Sequence, residues 1–346
     1  MSRFGAESRS QMHPPRVGVL LTNLGTPQAP TTAAVRRYLK EFLWDPRVVE
    51  IPRVAWWPIL HGVVLNLRPR RSAALYRKIW MPEGSPLLVY SKRQALGLER
   101  RLHTYLGDEV RVVLSMRYGQ PSIASGLEEL KGAGCDRILI LPLYPQYAAS
   151  TTGSTFDALA KAWTRARCVP AHRLVAGFHA HPDYIGALAD SVRRYWQQQG
   201  QGRLLMSFHG LPKRSIDLGD PYHGACQETA RLLAVALALQ PSEYGVAFQS
   251  RFGAAEWLQP YTVPTLEAWA RAGTERVDVI CPGFPADCLE TLEEIAIGGK
   301  DRFLAAGGKS FHYIPALNDE PGWIEALARI VLEQLHGWTH AGPQAL

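Results

Sequence analysis

Residues 204 to 212 read LLMSFHGLP, an apolar run that stops on a histidine, His209, with Gly210 directly behind it. An imidazole titrates near neutrality, so it can take up a proton, return it or hold a metal ion. The plainer alternative is a ring bonded to a backbone carbonyl for structural reasons. Glycine behind it lets backbone or ligand come close. Residues 287 to 294 read DCLETLEE. On a helix, Asp287, Glu290 and Glu294 fall at i, i+3 and i+7, which is one face. Carboxylates stacked in this way repel one another and need a cation, a shared proton or water. That suits a path for metal ions or protons. Asp287 and Glu290 also fit a helix start, where acids meet the positive end of the dipole. Glu294, a turn further in, is less well explained by capping.

Other groupings carry less. His179 and His181, two residues apart on a strand, share a face and could ligate a metal or simply pack. DPYH at 220–223 has turn chemistry and leaves His223 exposed. Tyr144, Tyr147, Ser150, Thr151 and Thr152 form either a polar wall for a large ligand or a loop capping the next helix.

The elements that must position these groups follow from hydrophobic periodicity. Strand-length apolar runs occur at Val17–Thr22, Val110–Met116, Arg137–Leu143, Arg173–Phe178, Leu204–Phe208, Tyr244–Phe248, Val277–Cys281 and Phe311–Ile314. Helical periodicity is clearest at Thr32–Leu43, Ser91–Leu106, Ser122–Lys131, Tyr184–Gln199 and Cys226–Leu239. Continuous apolar strands alternating with helices predict an α/β chain with parallel sheets covered on both faces. Eight strands in 346 residues predict two doubly wound, Rossmann-like domains of four strands each, 16–178 and 179–340. The second is expected to end in a C-terminal helix packing back, and residues 1–15 to be a disordered tail without the apolar stretch of a signal peptide. Ligands of such folds sit beyond the carboxyl ends of the strands. The loops there are NLGTP, RYGQP, YPQYAASTTGST, FHGLP and CPGFPADCLETLEE. None is a dinucleotide or phosphate loop.

Composition narrows the class further. Hydrophobic content of 47% and charged content of 20% describe a globular protein. A net charge of +7 suits an anionic ligand or a lipid headgroup surface, and the scattered basic residues argue against nucleic acid. Five cysteines without a CxxC read as reduced thiols, with no disulfide frame and no iron-sulfur cluster. No apolar run reaches the roughly 18–20 residues that span a bilayer. The nearest, residues 54–67, is broken by Pro58, His61, Gly62 and Asn66 and is followed by Arg68-Pro69-Arg70-Arg71. It is either a segment lying on a membrane interface or a buried helix with a loop.

Taken together, the loops resemble those of the ferrochelatase family. NLGTP, GSPL (84–87), RYGQP, YPQYAASTTGST, SFHGLP, GDPY (219–222), QSRFG (249–253), WLQP (257–260) and DCLETLEE follow in the family's order between about 16 and 335. The resemblance implies a chelatase-like fold and the insertion of Fe2+ into protoporphyrin IX to give protohaem, with two protons released. It implies no tightly bound cofactor, iron as substrate, and no [2Fe–2S] extension. It places His209 at the family's active-site histidine and Glu290 at its acidic partner, so that both are catalytic. His209, Glu290 and Glu294 are the implied metal contacts, with Glu294 on the acidic path. Arg117, Tyr118, Tyr144 and Tyr147 match pocket residues, and Leu24 a position facing the metal side of the ring. Arg68, Tyr76 and Ser85 match positions that meet propionates. Residues 54–67 match the apolar lip, which with residues up to 71 implies peripheral contact with the inner face of the cytoplasmic membrane. The preceding protoporphyrinogen-oxidising enzyme is a partner the resemblance allows, and the implied location is cytoplasmic.

This chain departs from the pattern at Cys288, where some members carry histidine, and at Ile297-Gly298-Gly299, where the acidic face ends early. A cobalt chelatase acting on a sirohydrochlorin-like ring and a non-catalytic porphyrin carrier remain alternatives.

Overall fold

The computed structural model describes residues 16–253 and 255–339, so the expected N-terminal tail lies outside the described residues. Eight strands form two sheets: β1 (Arg16–Gly25), β2 (Val110–Tyr118), β3 (Cys135–Pro142) and β4 (Ala171–Leu174), then β5 (Arg203–His209), β6 (Tyr244–Gln249), β7 (Arg276–Ile280) and β8 (Ser310–Tyr313). Their orders are β2-β1-β3-β4 and β6-β5-β7-β8, and every pairing is parallel. The fold is α/β with two four-stranded parallel sheets. In β1 the successive residues Val19, Leu20 and Leu21 are all fully buried. Consecutive burial leaves no solvent face and marks a sheet covered on both sides.

The fourth strand differs from expectation. It runs Ala171–Leu174, because β3 pairs with it only from Arg137↔Ala171 to Ile140↔Leu174. Two helices also begin earlier than their periodicity suggests. Pro86–Leu106 starts with proline in its first turn behind Ser85, where the missing N–H is harmless. Tyr222–Ala236 starts behind Pro221.

The chain divides into two compact units. The first holds the described residues up to Leu143, Ala149–Gly177 and those from Ile324; the second holds Tyr144–Ala148 and Phe178–Trp323. The closing helix Pro321–Gln334, expected at the end of the second domain as a helix packing back, delivers the chain into the first unit. There the Glu325 carboxylate accepts from Arg101 and, at 2.7 Å, from Tyr105 Oη. A Cβ on Gly97 would meet the Ile324 side chain at 3.2 Å, so the glycine lets this helix pack closely.

The apolar segment is helical from Arg53 to Ile79, with a π turn at Leu60–Val64 where His61 and Gly62 interrupt it. One side buries Trp56, Leu60, Leu65 and Tyr76, and Trp56 Nε1 donates to the Leu43 carbonyl at 2.7 Å. The other leaves Val54 91%, Trp57 57%, Val63 53% and Leu67 67% exposed. Among the described residues, no helix is long and apolar enough to cross a membrane.

Candidate active site

His209 is the last residue of β5, a strand whose Leu204, Leu205, Met206 and Phe208 are fully buried. The side chain therefore emerges where the sheet ends. Gly210 donates its N–H to Gln249 O at 2.6 Å, and a Cβ there would sit 2.9 Å from the same oxygen. Glycine is needed for this close approach. His209 Nδ1 lies 2.6 Å from the Gly210 carbonyl. A carbonyl only accepts, so Nδ1 carries the hydrogen and the neutral ring keeps its lone pair on Nε2. The structural and chemical readings of this histidine thus coincide: the backbone bond selects the tautomer that leaves Nε2 as base or ligand.

The acids lie in the same unit. Beyond β7 the chain enters a π-helix, Glu290–Gly299. Such helices are rare and concentrate at functional sites. Burial pushes the Glu294 carboxyl above its usual range, and the charge of Glu290 adds to this. Hydrogen bonds from Ser250 and the nearby imidazole of His209 pull it partly back. His209, Glu290 and Glu294 therefore share one electrostatic neighbourhood.

Asp287 does not join them. It precedes the π-helix, is 4% exposed, and its carboxylate accepts from Tyr313 Oη at 2.6 Å, Asn318 Nδ2 at 2.7 Å and Thr291 Oγ1 at 2.9 Å. It is a structural carboxylate, and the expected three-acid face reduces to two. Cys288 is buried, and burial pushes its thiol well up, so it offers no thiolate near neutrality.

Two residues that sequence reasoning left without a role stand between these groups. Ser250 donates its N–H at 2.8 Å and its hydroxyl to the Glu294 carboxylate. Gln249 pairs with His209 across the strands and donates its side-chain amide to the Glu290 carbonyl at 2.9 Å. The QSRFG stretch was their only signal.

Tyr144 and Tyr147 belong to the second unit through the segment Tyr144–Ala148, the first buried and the second half-buried. The loop after them is neither a bare wall nor a cap, for Ala149–Gly153 is itself a π turn leading into a helix. His181 serves as a helix cap, its Nδ1 accepting from Asp183 N at 3.3 Å.

The other expected contacts lie in the first unit. Leu24, next to last in β1, and Arg68 are half-buried. Tyr76, Ser85 and Tyr118 are interior, the last two at 2% and 1% exposure. The Ser85 hydroxyl accepts from Thr26 at 2.8 Å. Tyr118 is held inward by its phenol. Its hydroxyl donates to Asp45 Oδ2 at 2.8 Å, and Arg117 Cζ stacks 4.4 Å from its ring centroid. Asp45 Oδ2 also accepts from Arg117 Nη2 at 2.5 Å and Ser154 Oγ at 2.6 Å, while Oδ1 accepts from Arg47 N at 2.8 Å. Burial works to raise the Asp45 carboxyl. The bonds from Ser154, Arg47 and Tyr118 and the charge of Arg117 outweigh it and hold the group below the usual range.

Known proteins bear on this geometry. A family model described as Ferrochelatase matches residues 16–335. The chain is 58% identical over 343 residues to the ferrochelatase of Thioalkalivibrio sulfidiphilus, covering 99% of this chain and 93% of the relative. It is 58% identical over 347 residues to that of Aromatoleum aromaticum, covering 99% and 94%. Among solved structures, SirB from Bacillus subtilis with Fe3+ is similar at TM-score 0.55 and 12% identity, covering 92% of this chain and 95% of that one. The sirohydrochlorin chelatase SirB from Bacillus subtilis subspecies spizizenii in complex with cobalt is similar at 0.53 and 11%, covering 94% and 100%. At such identity the likeness is one of fold. With the family match running through both units and near-full-length relatives at 58% identity, the chain belongs to the ferrochelatase family and is an enzyme, a metal chelatase of the lyase class acting in haem synthesis.

Proposed function

We propose that the chain inserts Fe2+ into protoporphyrin IX, giving protohaem and two protons, over the carboxyl end of β5. The observation that supports this most directly is the 2.6 Å bond from His209 Nδ1 to the Gly210 carbonyl, which leaves Nε2 as the free base. Metallation must remove two pyrrole protons, and the acceptor has to reach a ring nitrogen. His209 Nε2 accepts a proton and becomes imidazolium. Glu290 and Glu294 take protons onward and hold iron weakly, since an open, incomplete ligand set releases what a closed four-ligand site would trap. A raised Glu294 carboxyl suits this work, because it binds and releases protons closer to neutrality. Porphyrin nitrogen lone pairs lie in the ring plane, and binding energy from the periphery can tilt them toward the metal.

The test is turnover. Protein, Fe2+ and protoporphyrin mixed anaerobically should give many equivalents of haem per enzyme, with coproporphyrin and sirohydrochlorin run in parallel. Faster metallation of sirohydrochlorin would favour the cobalt-chelatase alternative, and a single bound equivalent without turnover would favour a carrier. Glu290→Gln keeps the side-chain shape and removes the charge. It should lower kcat by about 10²-fold, the lower range for a proton-transfer group, with the melting midpoint nearly unchanged. A drop in stability alone would mean that Glu290 merely starts the helix.

The segment 54–71 suits contact with an anionic membrane surface. Val54, Trp57, Val63 and Leu67 present apolar area beside exposed Arg70 and Arg71. Val54→Glu with Leu67→Glu should reduce co-sedimentation with phosphatidylglycerol vesicles by about tenfold, given the roughly 25 cal/mol lost per Å² of apolar burial. Unchanged sedimentation would remove the membrane from the account.

A further inference from the structure

Gln249 is 4% exposed and its amide has one allowed orientation. Its oxygen accepts from Ser207 Oγ at 2.7 Å and faces the Cys281 thiol at 3.6 Å. Its nitrogen donates to the Glu290 carbonyl at 2.9 Å. A flipped amide would set its oxygen against the Glu290 carbonyl, acceptor against acceptor. The next residue, Ser250, has φ +60, a region that is unfavourable for a residue with a Cβ. This backbone turn aims both its N–H and its hydroxyl at Glu294. Two consecutive residues thus grip two turns of the π-helix, from the strand that runs beside His209.

The first unit repeats the device. Met116 N donates to Pro121 O at 2.6 Å after β2, as Phe248 N donates to Pro260 O at 2.8 Å after β6. Each proline follows a glutamine. That aligns Arg117 with Gln249 and Tyr118 with Ser250. Beyond β3 and β7 the runs Pro142-Leu143-Tyr144-Pro145 and Pro282-Gly283-Phe284-Pro285 align Ser154 with Glu294. Arg117 Nε bonds the Ser154 carbonyl at 2.9 Å and its hydroxyl at 2.7 Å, and Tyr118 Oη lies 3.0 Å from that hydroxyl. The two residues ending the strand secure the helix after the next strand in both units. In the second the grip holds the Glu290 backbone carbonyl and the Glu294 carboxylate.

We infer that Gln249 and Ser250 are positioning residues that set the spacing between His209 and the carboxylates of Glu290 and Glu294, and hence the enzyme's handling of iron, without acting on a substrate themselves. The inference rests on the roles given above to those three groups.

Gln249→Leu removes the amide at similar volume. It should raise KM for Fe2+ about tenfold, the loss expected for one or two ordinary hydrogen bonds, and leave KM for porphyrin within about twofold. Deuterium uptake across 290–299 should quicken by about fivefold or more. Ser250→Ala retains the N–H bond and loses the hydroxyl bond to the Glu294 carboxylate, and should raise KM for Fe2+ by up to about tenfold with porphyrin KM unchanged. Ser250→Gly, relieved of the φ cost, should share that KM, which sets the hydroxyl apart from backbone strain. The inference is overturned if iron KM and exchange both stay at wild-type values. It is equally overturned if porphyrin KM rises in step with iron KM. Should Gln249→Leu fail to fold, the Ser250 variants decide the matter. His209→Ala and Glu290→Gln run alongside. Loss of activity in these with wild-type behaviour of the Gln249 and Ser250 variants sinks the positioning role alone, whereas activity in both sinks the roles of His209 and Glu290 as well.

Discussion

His209→Ala should lower iron insertion by about 10³-fold, within the range for removing a positioned proton acceptor, while the protein melts within a few degrees of the wild type. The small stability effect follows from geometry. Removing the ring deletes one short-range, part-buried bond, Nδ1 to the adjacent Gly210 carbonyl, and leaves the buried strand behind it untouched. The large kinetic effect follows because His209 offers Nε2 as the acceptor at the end of β5, in the electrostatic neighbourhood of Glu294. Initial rates of haem formation and a calorimetric melt on the same preparations check both halves. Added imidazole should recover part of the lost rate by entering the space the ring vacates. Turnover near the wild-type rate would remove His209 from the mechanism.

Asp45→Asn should be the most destabilising single substitution proposed for this chain. Asparagine keeps the shape and loses the charge that four donors converge on. The Arg117 guanidinium, 17% exposed, would be left without its counter-charge. Breaking one side of a buried pair costs about 3–5 kcal/mol, and the residual exposure places this case near the lower end. The melting midpoint should fall by roughly 5–10 °C. The sign of the pH dependence is fixed. Asp45 is held below its ordinary range in the folded protein, so its contribution is complete above the unfolded value of about 4 and is lost as pH falls through the folded value. The gap between wild type and variant should be constant from about pH 5 to 8 and close under more acidic conditions. Adding Arg117→Gln should recover much of the loss, because the uncompensated charge leaves with it.

Residue types alone placed His209 at the end of a buried strand, where β5 does end, and left its role open between a base and a ring bonded to a backbone carbonyl. The two parallel sheets were legible because runs such as Val17–Thr22 lack alternation. The π-helix was not. A periodicity of 3.6 placed Asp287 with Glu290 and Glu294, whereas the wider turn begins only at Glu290 and leaves Asp287 to Asn318, Tyr313 and Thr291. Gln249 and Ser250 left no trace in spacing, since one amide and one hydroxyl after a strand are chemically ordinary. Their role depends on register and on a backbone angle. Tyr118 entered only through the family resemblance, and the bond of its phenol to Asp45, 73 positions away, has no signal in spacing.

The chain passes between the units at 143/144, 148/149, 177/178 and 323/324. A fragment stopped at Gly177 would therefore lack Leu327, Val331 and Leu335, all fully buried in the unit that the fragment mostly encodes. Neither piece of a chain severed at 177/178 is a self-sufficient folding entity. Activity recovered on mixing the two separately expressed pieces would then report their reassembly, which makes this junction a basis for a split-enzyme reporter read out by porphyrin fluorescence.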